Sequence, residues 1–173
     1  TVYASNVKAL RASPPTFSVG QLQADLGVIT QKYANDTVFE SSLFNKLDYQ
    51  QSTQRRLIKH FLTTAEDYRV WLQAGGIGAL KADETRVLDV GTNTIEHIYP
   101  QNAQAVHVDL TLEPLKHTLP NLTFWGASDN QAAGNLPFPQ KVPAYQASSV
   151  GLNRDLAVLP AFGLNEATAR RGQ

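Results

Sequence analysis

The feature that most constrains the fold is a change in the spacing of apolar residues at Gly75-Gly76-Ile77-Gly78. Before this segment, apolar side chains recur at steps of three and four, which is typical of amphipathic helices. After it, short stretches rich in β-branched residues indicate extended strands. Because glycines favour a break between elements, we expect a helical lobe over 1–80 and a mixed part over 86–173.

Three helices are expected in the helical lobe, each beginning at a polar residue that can cap it. These residues are Ser18, Asp36 and Ser52, all of types that accept a hydrogen bond from a free backbone N–H at a helix start. The third helix should continue as far as Trp71. Each helix has one apolar stripe, which predicts packing on a partner.

The mixed part contains patterns of both strands and helices. The expected elements are strands over 86–99, 105–110 and 121–125, a short helix opening at Ser128 or Asp129, and a last helix over 164–171. Pro137, Pro139 and Pro143 interrupt the stretch before that helix. The chain as a whole therefore predicts an α+β protein.

Composition excludes several classes of function. Fifteen Lys and Arg balance fifteen Asp and Glu in 173 residues, which excludes a strongly basic nucleic-acid arm and an acidic tail. Cysteine is absent, so there are no disulfides, zinc knuckles or thiol nucleophiles, which fits the reducing cytoplasm. The sequence has neither an apolar run of membrane-spanning length nor a signal peptide. Because it lacks Met and opens with Thr1, we expect a piece of a longer protein.

The segments that carry chemistry are Glu96-His97-Ile98-Tyr99-Pro100, Asn121-Leu122 and Asn130. On a strand, Glu96 and His97 point to opposite faces unless a bend intervenes. Taken singly, each residue has a common structural explanation. The dipeptide fits a surface glutamate beside a hydrogen-bonded histidine, Asn121 fits a turn, and Asn130 fits a helix cap.

Taken together, these segments resemble the His-Asn-His/Asn nuclease motif, also called the ββα-metal motif. The longer string is similar to the C-terminal nuclease domain of GmrSD-type modification-dependent restriction enzymes and related phosphorothioate-sensing phage-defence enzymes. The further residues that carry this resemblance are His117, Gly134, Asn135, Pro137, Phe138, Lys141, Tyr145 and Ser148. The resemblance covers roughly 86–171, and 1–80 resemble the region that joins this domain to an N-terminal nucleotide-hydrolysing domain. It implies a helical lobe packed on a small ββα-metal core with C-terminal helices.

The resemblance implies a role for each residue of the motif. His97 would be the general base that takes a proton from the attacking water, since an imidazole titrates near neutral pH. Asn121 would fix the loop that orients this base. Glu96 and Asn130 would hold Mg²⁺ or Mn²⁺, because hard cations prefer oxygen ligands. A histidine that acts as a base must stay off the metal.

Other charged residues have weaker assignments. DNA phosphates could contact four basic side chains, namely Lys141, Arg154, Arg170 and Arg171. The cluster Arg55, Arg56 and Lys59 could follow a duplex, although the solvated side of a helix is the favoured explanation. His97, His107 and His117 recur at a ten-residue step. This step suggests a three-histidine metal site, but ordinary surface histidines are the favoured explanation.

The leading hypothesis is a metal-dependent DNA endonuclease domain that nicks double-stranded DNA as the effector of a bacterial anti-phage restriction system. The implied partners are DNA and the N-terminal nucleotide-hydrolysing domain of the same full-length protein, without a membrane. Two alternatives stay open. One is a catalytically decayed DNA-binding or protein-docking module, favoured by Glu at 96 and Pro at 120. The other is an RNA nuclease that uses the same site.

Overall fold

A computed structural model of the chain describes residues 2–80, 93–126 and 133–171. The chain separates into two compact units, Thr1–Leu43 and Phe44–Gln173. The short helix expected at Ser128 or Asp129 lies outside the described residues, as does most of the strand expected over 86–99.

Three helices form the amino-terminal part of the chain. They are α1 (Val2–Arg11), α2 (Val19–Tyr33) and α3 (Asp36–Lys46), and α1 packs against α2. Ser18 caps α2 as predicted, since its hydroxyl accepts a 3.3 Å hydrogen bond from the amide of Gln21. The cap predicted at Asp36 is wrong by one residue. Asn35 fills that place, because its Oδ1 accepts from the amide of Val38 at 2.9 Å.

Helix α4 (Arg55–Gln73) begins the part of the chain that surrounds the sheet. A 3-10 turn over Ser52–Gln54 precedes it, and it ends where Gly75 and Gly76 take positive φ angles of 97° and 65°. The predicted third helix is confirmed through Trp71, but the cap predicted at Ser52 is wrong, because Ser52 lies inside the 3-10 turn and Gln54 precedes the first residue of α4. Its buried face contacts both strands and a later helix, so the apolar stripe has its partner here.

Within the described ranges, the sheet has two antiparallel strands, β1 (Asn93–His97) and β2 (Leu122–Gly126). His97 pairs with Leu122 and Glu96 with Thr123. The strand predicted over 105–110 is wrong. A 3-10 turn over Ala105–His107 replaces it, and Val106 and Leu110 are more than four-fifths exposed. No neighbouring strand pairs with this segment in the described part of the chain, so its apolar pattern buries nothing.

After the sheet, the described residues include three helices, α5 (Phe138–Ala147), α6 (Gly151–Ala157) and α7 (Leu164–Ala169). The last confirms the expected helix over 164–171. The core lies between these helices and β2, where Trp125 and Tyr145 stack with ring centroids 4.7 Å apart. Helices around a small antiparallel sheet confirm the α+β class. No helix among the described residues is long and apolar enough to cross a membrane.

A carboxylate from α4 positions α6. Both oxygens of Glu66 accept hydrogen bonds from the first amides of α6, Gly151 at 2.8 Å and Leu152 at 2.9 Å. A negative charge is stabilising at a helix start, where free N–H groups meet the positive end of the helix dipole. Arg69 adds a bidentate pair with Asp155 at 2.5 and 2.6 Å. These contacts fix α4 against the helices that support the sheet.

Candidate active site

The carboxyl end of β1 places Glu96 and His97 on opposite faces of the strand, as strand geometry requires. The Glu96 carboxylate contacts Lys141 of α5, whereas the His97 imidazole contacts Tyr49 and His117. Both residues are nearly buried, with 3 % and 6 % of their surfaces exposed. The two neighbours in sequence therefore belong to different environments.

The His97 imidazole lies in a cluster of three rings. Its Nε2 is 3.3 Å from Nδ1 of His117. The ring of Tyr49 meets it edge to face at a centroid distance of 4.5 Å. Burial, and then the positive charges around it, lower the pKa of His97 to about 3. The imidazole is therefore neutral near neutral pH and has a lone pair available to accept a proton.

His117 comes from the long connection between the strands and is half-buried. Its backbone carbonyl accepts a 2.9 Å hydrogen bond from the amide of Tyr49. The rings of these two residues are nearly parallel, with centroids 6.3 Å apart. Burial lowers the pKa of His117 below its ordinary value, with Asp48 acting in the opposite direction. The connection and the segment before α4 thus enclose His97 together.

The Asn121 side chain is buried and binds the backbone on both sides of the site. Its Oδ1 accepts from the amide of Tyr99 at 2.7 Å, and its Nδ2 donates to the carbonyls of Tyr99 at 2.9 Å and Lys116 at 2.8 Å. The Asn121 carbonyl also accepts from the amide of Ile98. These bonds hold together the residues that immediately follow His97 and immediately precede His117.

Lys141 lies inside the protein. Its Nζ donates to Oε1 of Glu96 at 2.5 Å and to the carbonyl oxygen of His97 at 2.6 Å. Burial raises the pKa of Glu96 and lowers that of Lys141, while each partner's charge acts against these shifts. The ammonium joins α5 to the end of β1. This place differs from the surface location expected for a lysine that contacts DNA phosphates.

The described residues do not assemble the expected metal ligands. Glu96 is occupied by Lys141, and the other expected ligand, Asn130, lies outside the described residues. Within residues 2–80, 93–126 and 133–171, no group of three or more histidine or acidic side chains could hold a metal ion. Glu96 as placed does not fit a divalent cation, because Lys141 already compensates its charge.

The remaining basic residues expected at DNA occupy different environments. Arg170 is half-buried and donates to the carbonyls of Pro120 and Leu122, both at 3.0 Å. Arg154 and Arg171 are exposed. Arg170 therefore supports the start of β2, and the other two leave their charges at the surface.

Sequence reasoning gave no role to Tyr49 and only a weak one to His117. The ten-residue step of the histidines was a partial signal, since His97 and His117 do meet. His107 is exposed and is not part of this contact. Tyr49 carried no signal, because its place beside His97 depends on how α4 packs on the sheet.

The described residues form an α+β domain. A histidine ends one of its two antiparallel strands, and an asparagine holds the connection between the strands in place. A comparison with protein families identifies the family of this domain. The model of the family described as "GmrSD restriction endonucleases, C-terminal domain" matches residues 22–173, and the chain belongs to this family. No curated protein matches the chain.

Proposed function

We propose that the chain is a DNA endonuclease domain of the His-Asn-His, ββα-metal type, with His97 as its general base. The observation that carries this proposal is the environment of His97. The neutral imidazole of His97 lies at the end of β1 beside His117, and Asn121 holds in place the residues that follow His97. Family membership supports phosphodiester hydrolysis as the reaction.

His97 takes a proton from water, and the water oxygen forms a bond to phosphorus. The bond from phosphorus to the leaving oxygen then breaks, that oxygen takes a proton from the solvent, and His97 releases its own proton to the solvent. A base with a pKa near 3 accepts protons weakly at neutral pH. A bound phosphodiester corrects this, because a nearby negative charge favours the protonated imidazole and raises its pKa. The base is therefore strongest when substrate is present.

We propose Mg²⁺ or Mn²⁺ as the cofactor of the nuclease reaction. When bound, a divalent cation neutralises charge that develops on phosphate oxygens. Glu96 could become a ligand only after Lys141 releases it, and Asn130 remains the other proposed ligand. The steps assigned to His97 do not depend on either residue.

The wider setting is also a proposal. The domain would act as the cytoplasmic effector of an anti-phage restriction system that nicks double-stranded DNA. An N-terminal nucleotide-hydrolysing domain of the same protein would control it. In this scheme, 1–80 form the connecting helical region and 86–173 the nuclease domain.

A second candidate function is a DNA-binding or protein-docking module whose catalytic site has decayed. The compensated charge of Glu96 and the small exposed fraction of His97 favour it. An RNA nuclease would use the same residues as the DNA enzyme. Substrate comparison separates these possibilities.

The test incubates the chain with supercoiled plasmid, single-stranded DNA and RNA, each with Mg²⁺, with Mn²⁺ and with a chelator. Conversion of plasmid to open circle that requires the cation supports the proposal. Cleavage of RNA alone favours the RNA nuclease. DNA binding without cleavage of any substrate contradicts the enzyme and favours the decayed module.

A further inference from the structure

A positively charged side chain, that of Arg55, lies next to the ring cluster around His97. Arg55 is the first residue of α4, and its side chain is exposed. Its Nε donates a 2.9 Å hydrogen bond to the carbonyl of Tyr49, and its guanidinium lies over the Tyr49 ring, 4.5 Å from the centroid. The same ring contacts His97. A single aromatic side chain thus contacts both the proposed base and an exposed positive charge.

Two contacts fix the orientation of the Arg55 side chain. The hydrogen bond holds Nε, and the aromatic ring attracts the guanidinium through a cation–π contact. Neither contact occupies the N–H groups of the terminal nitrogens, which have no hydrogen-bond partner among the residues that the structure describes. Because a planar guanidinium can donate two parallel hydrogen bonds to phosphate oxygens, a side chain fixed in this way is prepared for an anion.

The other cations near the site are already paired or buried. Lys116 donates to Glu113 at 2.6 Å, and Lys141 is buried against Glu96. Arg55 has no carboxylate partner within the described ranges. Its positive charge contributes to the lowered pKa of His97, which agrees with its position beside this residue.

We propose that Arg55 binds a DNA phosphate next to the phosphodiester that is attacked by the water which His97 deprotonates, with Tyr49 holding the guanidinium in place. This inference rests on the proposed nuclease function and names the contact that brings the substrate to the base. Within the basic cluster at the start of α4, it assigns Arg55 to DNA, while the neighbouring Arg56 belongs to the solvated side of the helix.

The test measures DNA binding separately from cleavage. The full chain with His97→Ala binds a fluorescent duplex without cutting it, and fluorescence anisotropy gives the affinity over a range of salt concentrations. We expect Arg55→Ala to weaken binding about tenfold and to reduce the salt slope by about one, as for the loss of one phosphate contact. Arg56→Ala removes the same charge one residue away and should change the affinity less than about twofold.

A further variant separates charge from geometry. Arg55→Lys keeps the charge but loses the planar guanidinium, so its affinity should lie between those of the parent and Arg55→Ala. Circular dichroism verifies that each variant is folded. Equal effects of Arg55→Ala and Arg56→Ala overturn the inference, because a general charge effect then explains both. Failure of the His97→Ala chain with Arg55 intact to bind DNA overturns the inference as well.

The inference and the proposed function can fail separately. If the parent cuts DNA in a manner that requires His97, while the Arg55 and Arg56 variants bind alike, the inference fails and the nuclease function stands. If Arg55→Ala selectively weakens binding but the parent cuts no substrate, the phosphate contact stands and the nuclease function fails.

Discussion

Nε2 of His97 lies 3.3 Å from Nδ1 of His117, although 20 positions separate the two residues in the sequence. When both rings are neutral, a hydrogen bond at this distance needs one nitrogen to donate and the other to accept. The tautomer of His97 therefore depends on that of His117. Because a general base needs its lone pair in the right place, the proposed mechanism makes His117 a positioning residue for His97.

Replacement of His117 by phenylalanine should slow DNA nicking about tenfold or more through kcat, since His97 loses the partner that fixes its tautomer. The pKa of His97 should also rise, because the charge of His117 is one cause of its lowered value. Plasmid nicking and an NMR titration of the His97 ring measure the two effects. His117→Asn, which keeps a polar side chain, should recover part of the rate. An unchanged pKa and kcat in His117→Phe would rule out the positioning role.

The stability of the folded chain should decrease in acid because of His97. The unfolded chain protonates this residue below its ordinary pKa of 6.5, while the folded chain resists protonation until about 3. Between these limits, protonation favours unfolding, with a slope of about 1.4 kcal/mol per pH unit. Urea denaturation at several pH values gives the slope.

The matched variant His97→Asn cannot take up this proton, so the difference between the two pH profiles isolates the histidine. Subtraction is necessary because Glu96, whose pKa burial raises, contributes a slope of opposite sign. Parallel profiles in the two proteins would contradict the lowered pKa.

The buried pair of Lys141 and Glu96 should matter for stability. Lys141→Ala leaves a buried carboxylate without its partner, so we expect the free energy of unfolding to fall by about 3–5 kcal/mol. The double variant Lys141→Met with Glu96→Leu removes both charges and should recover most of that loss. Urea denaturation measures both. If Lys141→Ala instead kept full stability and only weakened DNA binding, the lysine would belong at the surface.

Asn121 should be intolerant of substitution. Asn121→Ala removes three hydrogen bonds to the backbone of Tyr99 and Lys116 and leaves buried polar groups unpaired, at a cost of about 2–4 kcal/mol. Asn121→Asp keeps one acceptor but turns a second oxygen toward two carbonyl oxygens, so it should not restore stability. Thermal unfolding compares the variants. Full stability of the aspartate variant would contradict these contacts.

Local patterns in the sequence were sufficient to predict several elements. The cap at Ser18, the helix through Trp71 and the glycine break all depend on neighbouring residues. Helices α5 and α6 were not predicted, since α5 contains prolines and α6 is only seven residues long. The start of α6 depends on Glu66, which lies 85 positions before Gly151, and a local pattern cannot contain such a contact.

In the candidate site, too, local sequence patterns predicted some features, whereas contacts between distant residues determined the others. The motif identified Glu96, His97 and Asn121, and strand alternation already separated the first two. It could not show that Lys141 turns inward to Glu96, because that depends on how α5 packs on β1. Nor could it place Tyr49 and Arg55 beside His97, since they precede His97 by 48 and 42 positions.

The most direct test of the account compares nicking of supercoiled plasmid by the parent, by His97→Ala and by His107→Ala, each verified as folded by circular dichroism. His107 is exposed and serves as the matched histidine control. We predict that His97→Ala loses about 100-fold to 10,000-fold in rate, as expected for loss of a general base, while His107→Ala keeps the parental rate. Nicking by His97→Ala at the parental rate would contradict the assignment of His97 as the base.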